Sequence, residues 1–395
     1  MSRRYLDHGS ERSIGLLLLA EVGAMSLWFV SNAILPELAI EAEISAWTEG
    51  LLSTAVQVGF VIGALMLAYH GTADRYDPRK VFAVGSIIAA LSNLLLVLTI
   101  PGSSVQILLR GITGFCLAGV YPVGMKIAVG WTVKRRGIVV GMLVGALTLG
   151  SAAPHGLVLI GGGDWRLTVF LASLLAFVAG GLIMFARLGP YHATAARFDP
   201  SVLWLAWRLP KVRLAYAGYF CHMWELYAFW AWIAAALTAS LTLSGVDDPI
   251  KVARITTFIS ISFGGLLCVF AGVLADKIGK AIVAGGAMAI SGGLAIATAI
   301  SFGGPPILTI LFVFLWGVFV IPDSAQFSAL VADNAPPDRA GSLLTFQTAI
   351  GFLLAAIVVQ TIPIIAQNVG WPVTLALLGV GPILGTEMMR RLVKY

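Results

Sequence analysis

The stretch Glu21-Val-Gly-Ala-Met-Ser-Leu-Trp28 has a counterpart 204 residues later, Glu225-Leu-Tyr-Ala-Phe-Trp-Ala-Trp232. The Glu, one Ala and the Trp keep the same spacing in both, and each stretch lies within a long apolar segment. An acid at the centre of a membrane helix costs about 2.5–3.5 kcal/mol on insertion scales. A duplicated acid of this kind predicts an internal repeat and a function for its carboxyl groups.

The composition of the chain is that of a protein embedded in a membrane. Hydrophobic residues make up 59% of its 395 residues and charged residues only 11%, whereas a soluble domain carries about 25% charged residues. A soluble core of this length could not bury so much apolar sequence. Twelve segments have roughly the 17–25 residues needed to cross a bilayer. We predict these spans at 14–36, 46–69, 80–100, 104–128, 138–160, 166–186, 214–240, 252–275, 280–302, 306–331, 341–363 and 371–389.

Lys and Arg are distributed unequally between the two sides of this predicted topology. With the N-terminus inside, twenty of the 25 lie in inner segments and three in outer segments, namely Arg166, Lys251 and Arg254. The remaining two, Arg110 and Lys126, lie within spans. This positive-inside bias predicts that both termini are cytoplasmic. We expect a multi-pass protein of a bacterial-type cytoplasmic (inner) membrane, whose basic residues face anionic lipid headgroups and not nucleic acid.

A polar break containing prolines divides the chain into two sets of six spans. We predict an N-terminal six-helix bundle at 1–188, a cytoplasmic central loop at 189–212 and a C-terminal six-helix bundle at 213–395. Five landmarks, including the two Glu stretches, recur across this division at offsets of 202 to 206. The predicted fold class is therefore an all-α membrane protein with twelve transmembrane helices in two pseudo-symmetric bundles. Within the loop, Val202–Arg208 predicts an amphipathic segment at the membrane surface.

Two of the repeated landmarks are loops with a recognisable pattern. Gly272-Val-Leu-Ala-Asp-Lys-Ile-Gly-Lys280 resembles the loop signature of the major facilitator superfamily, Gly-x-Leu-Ala-Asp-Arg-x-Gly-Arg, and the copy at 70–80 keeps its Asp. In the fourth span, Arg110-Gly-Ile-Thr-Gly114 resembles that superfamily's Arg-x-x-Gln-Gly motif. The resemblance implies two bundles around a central cavity, a substrate site near the midplane and transport by alternating access. It also implies a conformational latch in the two loops, at Asp74, Arg75, Asp276 and Lys277.

The candidate coupling residues lie on the duplicated first and seventh spans. Glu21 shares a helical face with Trp28 and Asn32. His222 lies three residues before Glu225, so these two side chains could share a proton. One interpretation is a proton relay or a counter-charge for a cationic solute, and the other is a structural role for each acid. The aromatic residues of the seventh span leave a similar choice between cation–π contact with a solute and helix packing.

Two more candidates lie beside prolines in the fourth and tenth spans. Lys126 follows Pro122 by four residues, and Asp323 directly follows Pro322. Each proline should loosen its helix and free a carbonyl group towards a cavity. Lys126 could bind an anionic group, pair with Asp323 or Glu21, or extend its side chain to the inner interface.

Arg110 and His155 lie nearer the predicted outer ends of their spans. For Arg110, the superfamily resemblance implies proton transfer or an inter-helix salt bridge, and the alternative is a side chain that extends outward to the interface. For His155, which follows Pro154, we expect a capping or solvent-facing role.

These observations favour a secondary active transporter of a small solute, with proton coupling. Glycines of the fifth span resemble an antiporter motif and favour efflux, whereas Lys126 and Arg110 would suit import of a small organic anion. The alternative is a non-transporting receptor or sensor on a transporter scaffold. The chain has no nucleotide loop or catalytic motif, so we expect no enzyme activity, no cofactor and no metal. The expected partners are a small-molecule solute, protons and the lipid bilayer, and we expect a monomer.

Overall fold

A computed structural model describes residues 8–131, 136–191, 202–336 and 339–395. Twelve helical segments in this part of the chain are long and apolar enough to cross a membrane. They confirm the predicted number of spans and the all-α fold class. We label them TM1 to TM12 in chain order, with the bounds Ser10–Glu41, Ala46–His70, Pro78–Leu98, Ser104–Val129, Ile138–Ile160, Trp165–Phe185, Pro210–Leu243, Pro249–Ile278, Lys280–Ser301, Pro306–Asn334, Ala340–Val369 and Trp371–Val393.

An even number of spans brings both ends of the chain to one side of the molecule. We call that side the termini end and the opposite side the far end. The termini end is the one that the count of Lys and Arg predicts to be cytoplasmic, and Lys134 and Arg135, which contribute to that count, lie outside the described residues. TM7 is the longest helix, with 34 residues. At 1.5 Å per residue it is about 51 Å long, so it extends beyond a hydrocarbon core of about 30 Å.

Helix packing repeats between the N-terminal half, TM1 to TM6, and the C-terminal half, TM7 to TM12. TM3 packs against TM6 and TM4, and TM9 packs correspondingly against TM12 and TM10. TM1 packs against TM5 and TM6, as TM7 does against TM11 and TM12. The two halves meet where TM5 packs on TM8 and where TM2 packs on TM11. This repeated pattern is the pseudo-symmetry that the duplicated landmarks predict.

The contact between TM5 and TM8 is a close approach of two backbones. A Cβ atom added to Gly145 would lie 2.8 Å from the carbonyl oxygen of Gly265, and one added to Gly265 would lie 2.9 Å from that of Gly145. Real Cβ atoms do not approach a backbone oxygen so closely. The two glycines therefore allow the halves to touch without intervening side chains at this point.

Three spans are interrupted near their middles. TM4 breaks between Leu117 and Tyr121 and TM10 between Phe319 and Ser324, next to the prolines whose effect the sequence predicts. TM1 also breaks, although no proline lies there: one helix ends at Met25 and the next begins at Val30. The continuous helix of TM7 has no such break. The two copies of the Glu stretch therefore differ in backbone structure.

The central loop contains the predicted amphipathic helix, Val202–Arg208. Ala206 is buried, whereas Trp204 and Trp207 are exposed. Exposed indoles at the end of a helical bundle are typical of a membrane interface. The preceding loop residues 192–201 lie outside the described residues.

Candidate functional site

Glu21 is completely buried within the N-terminal half. A Cβ atom on Gly124 would lie 2.7 Å from Glu21 Oε2, so the carboxyl group packs directly against the backbone of TM4. Neither carboxyl oxygen has a hydrogen-bond partner among the described residues. An ionised carboxylate without a donor or counter-charge costs several kcal/mol in a low-dielectric interior, on the order of the penalties measured for unpaired buried ions. In this arrangement the neutral, protonated carboxyl is therefore the favoured form.

Glu225 is equally buried but has two donors. Trp316 Nε1 donates to Oε1 at 2.6 Å, and Ser291 Oγ donates to Oε2 at 3.0 Å. These donors come from TM10 and TM9, so the carboxyl group lies inside the C-terminal half. The two acids that the sequence pairs by pattern thus have different environments.

His222, one turn before Glu225, lies beside Asp323 and not beside Glu225. His222 Nδ1 is 3.0 Å from Asp323 Oδ1, and both side chains are buried. The contact lacks the alignment of a hydrogen bond, because neither atom has a partner with hydrogen-bond geometry. This corrects the expectation that His222 and Glu225 share a proton. The proton partner within reach of His222 is the acid at the break in TM10.

Arg110 is buried and binds the break in TM1. Its Nη1 donates to the carbonyl oxygen of Leu27 at 2.9 Å and its Nη2 to that of Trp28 at 2.6 Å. Nη1 also donates to Asn93 Oδ1 at 3.0 Å. A cation at the C-terminal end of a helix is favoured by the partial negative charge of the free carbonyl groups. Arg110 therefore stabilises the end of the first TM1 helix.

The predicted salt bridge and outward extension of Arg110 need correction, and the break in TM1 was not predicted. No carboxylate among the described residues pairs with Arg110, so its partners are backbone carbonyls and an amide in place of the expected salt bridge, and its side chain does not extend outward. The hydroxyl of Ser26 donates back to the carbonyl of Gly23 at 2.7 Å, a bond that competes with the helix. A serine within an apolar helix and a buried arginine 84 residues later were the available signals for this break.

Asn32 connects the two halves of the molecule. Its Nδ2 donates to Ser53 Oγ at 2.8 Å and to the carbonyl oxygen of Ala231 at 3.0 Å. The side chain therefore bridges TM1, TM2 and TM7 near the far end. Asn32 thus lies away from Glu21, with which its helical spacing predicted a common site.

Four aromatic side chains from both halves fill the space between them. The ring of Trp28 lies 5.0 Å from that of Phe60, 5.9 Å from that of Tyr227 and 5.6 Å from that of Phe352. Each of the four residues is almost fully buried. We call Trp28, Phe60, Tyr227 and Phe352 the aromatic plug. Their close packing favours the packing interpretation of the seventh-span aromatics in this conformation.

Polar contacts between the halves lie on the far side of the molecule. Arg254 Nη2 of TM8 is 2.6 Å from Glu37 Oε2 of TM1, and the same nitrogen donates to the carbonyl oxygen of Ala33 at 2.9 Å. Within the described ranges, every hydrogen bond between the halves involves the far-end part of its helices. The other pairs are Asn32 with Ala231, Thr54 with Ala356, and Gln360 with Trp47. The far end is therefore closed in this structure.

His155 is buried near this closed end. Both of its ring nitrogens lack hydrogen-bond partners in the described part of the chain. The expected capping or solvent-facing role is wrong, because the side chain is inaccessible to solvent. Position near the predicted end of a span did not reveal that TM5 packs on TM8 there.

The loop residues of the implied latch lie at the termini end. Arg75, Asp276 and Lys277 are exposed, and the Asp276 side chain makes no ion pair or hydrogen bond with another described residue. Asp74 lies in the short helix Thr72–Arg75, and its side chain is outside what the structure describes. Lys126 is half-buried in TM4.

Two other ion pairs form close to these loops. Arg79 Nη2 lies 2.6 Å from Asp77 Oδ2, and hydrogen bonds from this guanidinium hold the pKa of Asp77 below its usual value. Lys280 Nζ lies 2.5 Å from Asp333 Oδ2. These partners were not among the predicted latch residues. Among the described residues, no group of three or more His, Cys, Asp or Glu side chains is placed to hold a metal ion.

Comparison with known proteins identifies the family. A family model described as Major Facilitator Superfamily matches residues 17–360, which include both Glu stretches and both signature loops. No curated protein matches the chain.

Proposed function

The chain belongs to the Major Facilitator Superfamily, and we propose that it is a proton-coupled secondary transporter in which Glu21 binds the coupling proton. The observation that carries this proposal is the contrast between the two duplicated acids. Glu225 has two hydrogen-bond donors, whereas Glu21 has none among the described residues. A carboxyl group without donors is stable only while it holds a proton, so its protonation state can change only when the protein changes shape.

The proposed cycle uses the two halves, residues 1–188 and 213–395, as rocking units. With the far end closed by the aromatic plug and the Arg254–Glu37 pair, Glu21 keeps its proton. When the halves rock, water or solute reaches TM1 and TM4, and Glu21 can ionise. His222 and Asp323 offer a second place for a proton in the other half. Coupling then follows because one conformation binds the proton more tightly than the other.

The buried charges bear on the class of solute. Arg110 uses its two terminal nitrogens on TM1 carbonyls and Asn93, so it is poorly placed to bind an imported anion. Besides Arg110, the buried charged or histidine side chains described here are three acids, two histidines and one arginine that is already paired with Glu37. The acids are Glu21, Glu225 and Asp323, and the others are His155, His222 and Arg254. We therefore favour exchange of a neutral or cationic organic solute against protons over uptake of an organic anion.

The test is flux in proteoliposomes. A thermal-shift panel of organic cations, neutral solutes and carboxylates selects the solute, and its flux is then followed under an imposed pH gradient. Wild-type protein should move solute against its gradient, and Glu21→Gln should lose this but retain solute–solute exchange. Glu43→Gln is the control, because it neutralises an exposed acid just beyond the end of the same span. Gradient-driven flux at the wild-type rate in Glu21→Gln would contradict the proposal, and binding without any flux would favour a receptor.

A further inference from the structure

A cleft at the termini end lies between the start of TM7 and the end of TM12. It is lined by Pro210, Arg213, Leu214, Arg391, Lys394 and Tyr395. Three of these six side chains are cationic and none is acidic. The cleft belongs neither to the Glu21 region nor to the signature loops.

The charges around this cleft do not cancel. Glu387 is the acid that pairs with Arg391 of the cleft, and it is shared between Arg390, at 2.6 Å, and Arg391, at 2.9 Å. Among the described residues, the Arg213 side chain makes one long hydrogen bond, of 3.4 Å, to the carbonyl oxygen of Trp207. Even with a terminal carboxylate on Tyr395, four cations face two anions. The cations are Arg213, Arg390, Arg391 and Lys394, and the anions are Glu387 and that carboxylate. A net positive cleft with unused guanidinium donors suits an anion with several acceptor oxygens.

Apolar side chains continue from the cleft towards the middle of the membrane. Leu214, Ala217, Cys221 and Trp224 of TM7 are half-exposed, and their spacing of three or four residues places them on one helical face. The neighbouring TM12 exposes apolar side chains along its length. These include Leu377, Val380, Ile383 and Leu384. The outward surface of TM7 and TM12 therefore joins a basic end to an apolar stripe, as a phospholipid joins a phosphate to an acyl chain.

The depth of the cleft matches a lipid headgroup. Trp204 and Trp207, in the helix Val202–Arg208 just before TM7, are exposed. Tryptophan is enriched at the level of the headgroups. The same short helix packs against TM7 and TM11, so it fixes this level beside the cleft.

We propose that this cleft binds the phosphate of an anionic phospholipid through Arg213, Arg391 and Lys394, with one acyl chain along the apolar stripe of TM7 and TM12. The shared chemistry of a lipid headgroup and free phosphate is the anionic phosphate oxygen. The apolar stripe beside the cleft commits the proposal to the lipid. The site is independent of the proton site, because none of its residues contacts Glu21.

Native mass spectrometry of the purified protein tests the site, with phosphatidylglycerol and phosphatidylcholine as probes. Wild-type protein should retain phosphatidylglycerol preferentially. The triple variant R213Q/R391Q/K394Q should bind it roughly 10- to 100-fold more weakly, because each Lys or Arg near the headgroups strengthens anionic-lipid binding severalfold. The matched control R12Q/K80Q/R187Q removes the same charge from exposed positions of the N-terminal half.

Three results would overturn the proposal. Equal weakening in the control would mean that overall charge acts and not the cleft, and equal retention of both lipids would mean that the phosphate is not recognised. Full competition by inorganic phosphate would assign the site to a soluble anion. If the triple variant does not fold, photo-crosslinking of wild-type protein with a diazirine phosphatidylglycerol decides, since label outside TM7 and TM12 contradicts the site.

Discussion

Trp316 donates a 2.6 Å hydrogen bond to Glu225, a bond that has no counterpart at Glu21 in the part of the chain that the structure describes. The two acids belong to one repeated pattern, yet among the described residues only the second copy has donors. The first copy is left with a carboxyl group against a glycine backbone. This asymmetry assigns a structural role to Glu225 and a titrating role to Glu21 in the proposed mechanism.

Removing the donor to Glu225 should destabilise the C-terminal half. We expect Trp316→Phe to lower the free energy of unfolding by about 1–3 kcal/mol, because a buried acceptor loses a strong hydrogen bond. Thermal unfolding in detergent measures this change. Trp47→Phe serves as the control, since its side chain is exposed at the far end. Equal melting temperatures for the two variants would show that the bond contributes nothing.

Breaking the Arg254–Glu37 pair should open the far end. We expect Arg254→Gln to shift the equilibrium between the closed and the open far end towards the open state by about 1–3 kcal/mol, or roughly 5- to 150-fold. The reason is that the pair is largely buried and joins the two halves. Spin labels at Glu43→Cys and Asp247→Cys, with the native cysteines replaced, report the far-end distance by pulsed EPR.

The control variant for the Arg254–Glu37 pair breaks an ion pair that lies within one half. Arg166 lies 2.6 Å from Glu41, and both residues belong to the N-terminal half. Arg166→Gln should leave the distance distribution unchanged, whereas the charge swap Arg254→Glu with Glu37→Arg should restore it. If the distance distribution responds equally to Arg166→Gln, the Arg254–Glu37 pair does not hold the far end closed.

Arg110→Lys should loosen the break in TM1. Lysine keeps the charge but lacks the planar fork that reaches two carbonyls and Asn93, so at least one bond worth about 1–3 kcal/mol is lost. Hydrogen exchange should then accelerate in the amides around Leu27 and Trp28. Asn93→Ala, which removes one of the three partners, should give an intermediate effect. Unchanged protection in both variants would contradict the capping role.

Gly145→Ala should disfavour the observed packing of TM5 on TM8. The added methyl group would lie 2.8 Å from a backbone oxygen, and relief of such overpacking costs about 1–3 kcal/mol. Gly286→Ala is a matched control, because a Cβ there meets nothing within 4 Å. We expect a lower melting temperature for the first variant only. A similar fall in melting temperature for both variants would show that the substitution acts through its own helix and not through the contact between TM5 and TM8.

Hydrophobic length was sufficient to predict the spans, because a membrane helix must be apolar over a fixed distance. The breaks at Pro122 and Pro322 were also predictable, because each depends on a proline within the segment itself. The break in TM1 was not, because it depends on Arg110, which is distant in sequence. Likewise, the pairing of His222 with Asp323 depends on how TM7 packs against TM10.

The most direct measurement of the central claim is infrared difference spectroscopy of the protein in lipid during a pH titration. The account predicts a protonated carboxyl band, typical of a C=O group that accepts no hydrogen bond, at neutral pH. It should vanish in Glu21→Gln and remain in Glu225→Gln and Glu43→Gln. A band that persists in Glu21→Gln would contradict the claim that Glu21 holds the proton while the far end is closed.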